Sequence, residues 1–127
     1  VFTDRDLKDF VSLGFKGAVV IKTAKSGGIM PASKMIEVAR SSGLEVLGSG
    51  LTEGTVGFSA SAQLFAAAEI SYPVDLNGPQ FIIDHVATGP ALEGGRASVE
   101  GPGLGVEVDA TKLKQKERGR RQAFGTS

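Results

Sequence analysis

Five side chains stand where loops follow apolar runs: Lys22, Lys25, Glu53, Asp75 and Asn77. Cations and carboxylates gathered in this way suit proton transfer and the holding of small charged substrates. Lys22 directly ends the run Ala18-Val19-Val20-Ile21. Partial burial and a second cation nearby favour the neutral amine of such a lysine, the form that can take up a proton. Lys25, three residues on, is the candidate second cation. The ordinary alternative for Lys22 is an ammonium that snorkels to water. For Lys25 and Glu53 the ordinary alternative is a solvated loop. Glu53 lies within Gly48-Ser49-Gly50-Leu51-Thr52-Glu53-Gly54, where a carboxylate could bind a metal or orient a lysine. Asp75 and Asn77 are alternate residues and share a face if one strand runs through them. Their ordinary alternative is a turn into Gly78-Pro79.

Composition narrows the chemistry. The chain has 127 residues, about one small domain, and no formal net charge. Residues 1–110 carry 8 basic and 13 acidic side chains, whereas residues 111–127 carry 6 and 1. The basic charge therefore belongs to a C-terminal tail, and a dedicated nucleic-acid binder is not expected. Cysteine is absent, which excludes disulfides and thiolate metal sites. His85 is the single histidine, so a multi-histidine metal site is excluded, and nothing sets a serine nucleophile beside it. His85 reads as a surface or structural residue. No apolar run approaches the ~20 residues of a membrane span, and no signal peptide is visible. A cytoplasmic protein is expected. Neither the phosphate-loop pattern nor the dinucleotide-binding glycine pattern is present. Ser26-Gly27-Gly28 before a helix offers backbone N–H groups to an anion, a weak signal by itself.

The elements that must position these residues repeat. Thr3-Asp4 caps an amphipathic helix over Asp4–Leu13 that stops at Gly14. Ala18–Ile21 is apolar on both faces, as in a parallel strand buried between layers. Pro31 opens a second helix with Ala32, Met35, Ile36, Val38 and Ala39 on its apolar face. Leu44–Leu47 is a second strand that ends in the glycine-rich loop. Thr55–Ala68 is a third helix, and Tyr72–Leu76 a third strand. Strands thus recur about every 26–28 residues, a βα repeat. The fold class is α/β. Three strands do not close an eight-stranded barrel, so the reading is a small open sheet or part of a barrel. Beyond residue 79, Phe81–Ile83 and Ala97–Val99 read as short strands around Gly94-Gly95. Gly101–Val108 reads as a closing segment, and Lys112–Ser127 as a mobile tail.

Four segments, in this order and spacing, resemble the muconate-lactonizing subgroup of the enolase superfamily. They are Val20–Gly28, Gly48–Gly57 with Glu53 inside it, Asp75–Pro79, and Pro102–Val106. The resemblance covers about residues 1–110 and is specific as a set. It implies the C-terminal portion of a modified TIM barrel, with residues 1–78 as its last βα units. Residues 79–110 would return to an N-terminal capping domain, and 111–127 would be the basic tail. It implies a longer enzyme, usually oligomeric, whose metal ligands and second lysine lie upstream. The cofactor would be Mn²⁺ or Mg²⁺. The activity implied is conversion of cis,cis-muconate to muconolactone through an enolate-like intermediate, in aromatic catabolism. Lys22 and Glu53 would be catalytic. Gly50, Thr52, Lys25, Asp75 and Asn77 would face a small dicarboxylate substrate. Dipeptide epimerases of the subgroup carry Asp-x-Asp where this chain has Asp75-Leu76-Asn77, and they are an alternative. N-acylamino-acid racemase, o-succinylbenzoate synthase and chloromuconate cycloisomerase are others on the same fold. An inactive structural fragment is the alternative of a different class.

Overall fold

A computed structural model of the chain describes residues 1–116. Its centre is a parallel sheet in the order β1-β2-β3, formed by Ala18–Lys22, Glu45–Thr52 and Asp75–Asn77. Each strand is followed or preceded by a helix: α1 is Asp4–Ser12, α2 Ile29–Ser41 and α3 Thr55–Ala67. The core lies between helices and sheet. Val19 and Ile21 of β1 and Val46 of β2 meet Leu7, Met35, Ile36, Ala39, Leu64 and Phe65 from the helices.

Local chemistry explains the boundaries. The Asp6 N–H donates to Thr3 Oγ1 at 3.1 Å, and Asp6 Oδ2 accepts from the Thr3 N–H at 3.0 Å. This reciprocal cap starts α1 at its first free donors. Gly14, with φ +86°, ends it, and the Phe15 N–H closes back on Phe10 O at 3.1 Å. α2 begins at Ile29 after Gly28, so Pro31 is its third residue and not its first. A proline is tolerated there because the first-turn N–H groups have no partner inside the helix.

The glycine-rich stretch after Leu47 is strand, not loop. β2 runs on to Thr52 because it is paired along both edges. Gly48 serves packing: a Cβ there would lie 2.7 Å from Val74 Cγ1 and 2.9 Å from Phe65 Cδ2. β3 is shorter than expected, since Tyr72–Val74 stay outside it. β1 is not buried on both faces. Val19 and Ile21 face the helices, while Val20 is 49% exposed on the opposite face.

The remaining elements are small. Pro79–Phe81 is a 3-10 turn, where a strand over Phe81–Ile83 was expected; Gly78 with φ +137° followed by Pro79 bends the chain there. β5 (Leu92–Glu93) and β6 (Arg96–Ala97) form a hairpin around Gly94-Gly95, shorter than the pattern suggested. β4 (Ala87–Thr88) pairs antiparallel with β7 (Glu107–Val108). The first part of the expected basic tail lies in a helix, α4, formed by Ala110–Lys116. Lys116 and Lys112 reach Asp84 at 2.8 and 3.3 Å, and together they hold its carboxyl below the usual carboxylate range. The rest of the expected tail, residues 117–127, lies outside the described residues. No helix among the described residues is long and apolar enough to cross a membrane.

Candidate active site

The carboxyl ends of β1, β2 and β3 point the same way, as parallel βα units require. Register puts Lys22 opposite Ser49 and Ser49 opposite Asp75. One residue from each strand therefore stands at one level. Lys22 Nζ donates to Ser49 Oγ at 2.7 Å and to Gly50 O at 2.6 Å. Ser49 Oγ in turn donates to Asp75 Oδ2 at 3.3 Å. Lys22 is half-buried, Ser49 is 4% exposed, and Asp75 is open to solvent. The ammonium is thus held by two acceptors and keeps a third donor for a ligand.

Glu53 is placed beside this rung by a tight bend. Its Oε1 accepts from the Leu51 N–H at 3.2 Å. Its Oε2 is buried with no donor, and it crowds Gly50: a Cβ on Gly50 would lie 3.0 Å from it. Gly50 is therefore the shared contact of Lys22 and Glu53. The Glu53 N–H reaches Asn77 O at 3.4 Å, which ties the bend to the end of β3. Gly78 completes the approach, because a Cβ there would sit 1.9 Å from Glu53 O. Asn77 Oδ1 is a second buried acceptor without a donor. Asp75 and Asn77 do lie on one strand, but the register shifts between their partners Ser49 and Thr52. Asp75 consequently binds Ser49, while Asn77 sits with the Glu53 bend.

Lys25 and Thr52 stand apart from this cluster. Lys25 is exposed, and its Nζ lies 5.8 Å from the centre of the Phe2 ring, a cation–π distance. Its backbone N–H meets Lys22 O at 3.0 Å, while its ammonium turns to the Phe2 ring. Thr52 is exposed and pairs with Asn77 in register. His85 shares a 2.8 Å hydrogen bond with Thr55 Oγ1, at the first residue of α3. The residue that sequence reasoning missed is Ser49. Between two glycines it looked like loop, and only the strand register reveals it. Its signal was an alternation, since Leu47 and Ser49 share a face once β2 is carried through Gly48.

The chain has relatives among known proteins. The family described as enolase C-terminal domain-like matches residues 1–112. The chain belongs to this family. Its fold is the C-terminal portion of the superfamily's barrel domain. Muconate cycloisomerase 1-1 of Acinetobacter lwoffii is 35% identical over 98 residues, 75% of this chain and 26% of that protein. The crystal structure of 2-chloromuconate cycloisomerase from Rhodococcus opacus 1CP aligns with a TM-score of 0.85 at 32% identity, over 94% of this chain and 33% of that one. Dipeptide epimerase from Methylococcus capsulatus, complexed with Mg and the dipeptide L-Arg-D-Lys, aligns at a TM-score of 0.76 and 28% identity. It covers 84% of this chain and 31% of that one. The chain thus spans about a quarter to a third of these enolase-superfamily relatives. Among the described residues, no three His, Asp or Glu side chains converge to hold a metal ion. At the strand ends Asp75 accepts from Ser49, and Glu53 accepts from the Leu51 N–H through Oε1 alone. The described residues do not by themselves fit a metal site.

Proposed function

We propose that this chain is the C-terminal part of a longer isomerase that interconverts cis,cis-muconate and muconolactone. The observation that carries the reading is the Lys22 ammonium, fixed at the strand ends by Ser49 Oγ and Gly50 O. One substrate carboxylate adds across a double bond, and electron density gathers on the carbon next to the other. A fixed cation stabilises charge that develops beside it without reorganising at the moment of reaction. Lys22 supplies that cation, and protonation of the enolate-like carbon completes the lactone. In the reverse direction a base removes the same proton. Glu53, lying against Gly50, orients the rim of the site. Gly50 and Thr52 line it, and Lys25 draws the dicarboxylate from the solvent side.

The rest of the same enzyme covers the open face of the sheet. Val20 is exposed there, and a groove of about 280 Å³ lined by Phe10, Phe15 and Val20 runs beside the unpaired edge of β1. A Mg²⁺ or Mn²⁺ ion would be held by residues outside this chain. We place the enzyme in the cytoplasm, as an oligomer.

A second reading, dipeptide epimerase, is favoured by one observation. Glu53 Oε2 and Asn77 Oδ1 are both buried acceptors without donors. The ammonium of a dipeptide is a donor of the kind that either acceptor lacks. The test is loss of the conjugated diene of cis,cis-muconate with full-length protein and Mn²⁺ or Mg²⁺. Rapid metal-dependent loss that disappears in Lys22→Ala supports the cycloisomerase. Inert muconate together with epimerised dipeptide supports the second reading, and a Lys22→Ala variant at parental rate removes Lys22 from both.

A further inference from the structure

Lys22, Ser49 and Asp75 form one uninterrupted chain of hydrogen bonds across three adjacent strands, with steps of 2.7 and 3.3 Å. Its two ends differ. Lys22 is half-buried at the strand mouth, and Asp75 is exposed to water. The middle member is a hydroxyl, which accepts a proton on one lone pair while giving up its own. Building on the reading that Lys22 works beside the substrate, we propose that Ser49 is a relay residue. It carries protons between Lys22 and solvent by way of Asp75.

The transfer balances without any co-reactant. In the outward direction an N–H bond of the Lys22 ammonium breaks and its proton bonds to Ser49 Oγ. The O–H bond of Ser49 breaks in the same step, and that proton passes to Asp75 Oδ2. Asp75 then releases it to water and returns to the carboxylate. The product at Lys22 is the neutral amine, ready to act as a base. Run inward, the same steps reload the ammonium. Both proposed reactions need this, with Lys22 delivering the proton in addition to its charge. Conversion of the muconate dianion to the muconolactone monoanion takes up one proton per turnover. Epimerisation moves a proton off one face of a carbon and onto the other, so acid and base must be reset each time.

Two features argue for a wire over a chance contact. Gly50 O takes a second Lys22 N–H at 2.6 Å, so the amine is held against Ser49 and cannot swing freely. Ser49 is 4% exposed, and a hydroxyl buried that deeply is costly unless it is bonded. Here it is bonded on both sides to groups that exchange protons.

The experiment compares kcat, KM and solvent isotope effect in full-length enzyme for Ser49→Ala, Ser49→Thr, Asp75→Asn and Lys22→Ala. It uses cis,cis-muconate or a dipeptide, according to which the enzyme turns over. A small diffusible base such as imidazole is added at increasing concentration. A lost proton-transfer group is worth about a hundredfold fall in kcat, the lower end of general acid–base effects. Ser49→Ala should show that fall with little change in KM, and imidazole should restore the rate in proportion to its concentration. Ser49→Thr should keep most of the rate. Asp75→Asn, at the exposed end where folding is least at risk, should show the same rescue. Parental rates in dilute buffer for both Ser49→Ala and Asp75→Asn would overturn the relay. So would slowed variants that imidazole leaves untouched. Lys22→Ala separates the two levels: an active variant sinks the proposed role of Lys22, whereas an inactive one beside fully active Ser49→Ala sinks only the relay.

Discussion

Replacing Gly78 with alanine should damage this chain more than its single methyl group suggests. The new Cβ would stand 1.9 Å from the Glu53 carbonyl oxygen and 2.5 Å from the Glu53 nitrogen. Both are backbone atoms of a bend fixed at either end, so neither yields cheaply. The φ of +137° adds its own strain. A side chain in such a backbone state costs about 1–3 kcal/mol, and overpacking adds about 1–3 kcal/mol. The loss should therefore be about 4 kcal/mol. Gly14 is the internal control: its φ is +86°, but nothing lies within 4 Å of a Cβ there. Gly14→Ala should cost only about 1–2 kcal/mol, the conformational part alone. Urea denaturation of the full-length protein reads the difference. The slope grows with protein size, so at about 3 kcal/mol per molar Gly78→Ala should lower the midpoint by roughly 1–1.5 M. Equal midpoints for the two variants would refute the argument, because the clash with Glu53 would then contribute nothing.

Other outcomes follow from the same structure. Leu7 is the one buried residue of α1 and is fully enclosed, so Leu7→Ala should cost about 3 kcal/mol in urea or thermal unfolding; a loss below half a unit would show that α1 is not anchored through it. Asp84 is depressed first by Lys116 and then by Lys112. A depressed carboxyl contributes stability above its unfolded value and loses it as the pH falls through the folded one. Docking of α4 should accordingly persist at neutral pH and weaken below about pH 4, as read from amide exchange of residues 110–116. High salt should weaken it as well, because the pairs are exposed; α4 amides indifferent to both pH and salt would contradict this.

Much of the architecture was legible because local signals agreed. Thr3 with Asp6, Gly14, and the apolar faces of α1 and α2 each specify an element without help from the rest of the chain. The βα period gave the parallel sheet. What was illegible depended on neighbours. Gly48 and Gly50 look like loop by composition, yet they are strand because β2 pairs with β1 and β3, and they are glycine because Phe65, Val74, Glu53 and Leu76 leave no room for a side chain. The same misreading hid Ser49. Val20 reads as buried in the sequence, which shows an apolar residue but not whether anything lies against it. Lys22 and Glu53 were found by their place after apolar runs, and they do meet at Gly50. Lys25 has the same kind of place but turns to Phe2. No residue type distinguishes those two fates.

The rung of Lys22, Ser49 and Asp75 also says when chemistry can begin as the chain folds. Its members are separated by 27 and then 26 residues, and each link is made only after a whole crossover has closed. Such distant pairings come late, since loop-closure entropy is lost before the contacts repay it. A collapsed chain with α1, α2 and α3 formed would still lack the rung. Competence at this site is therefore a report on completed sheet register, and recovery of activity during refolding should lag recovery of helical signal.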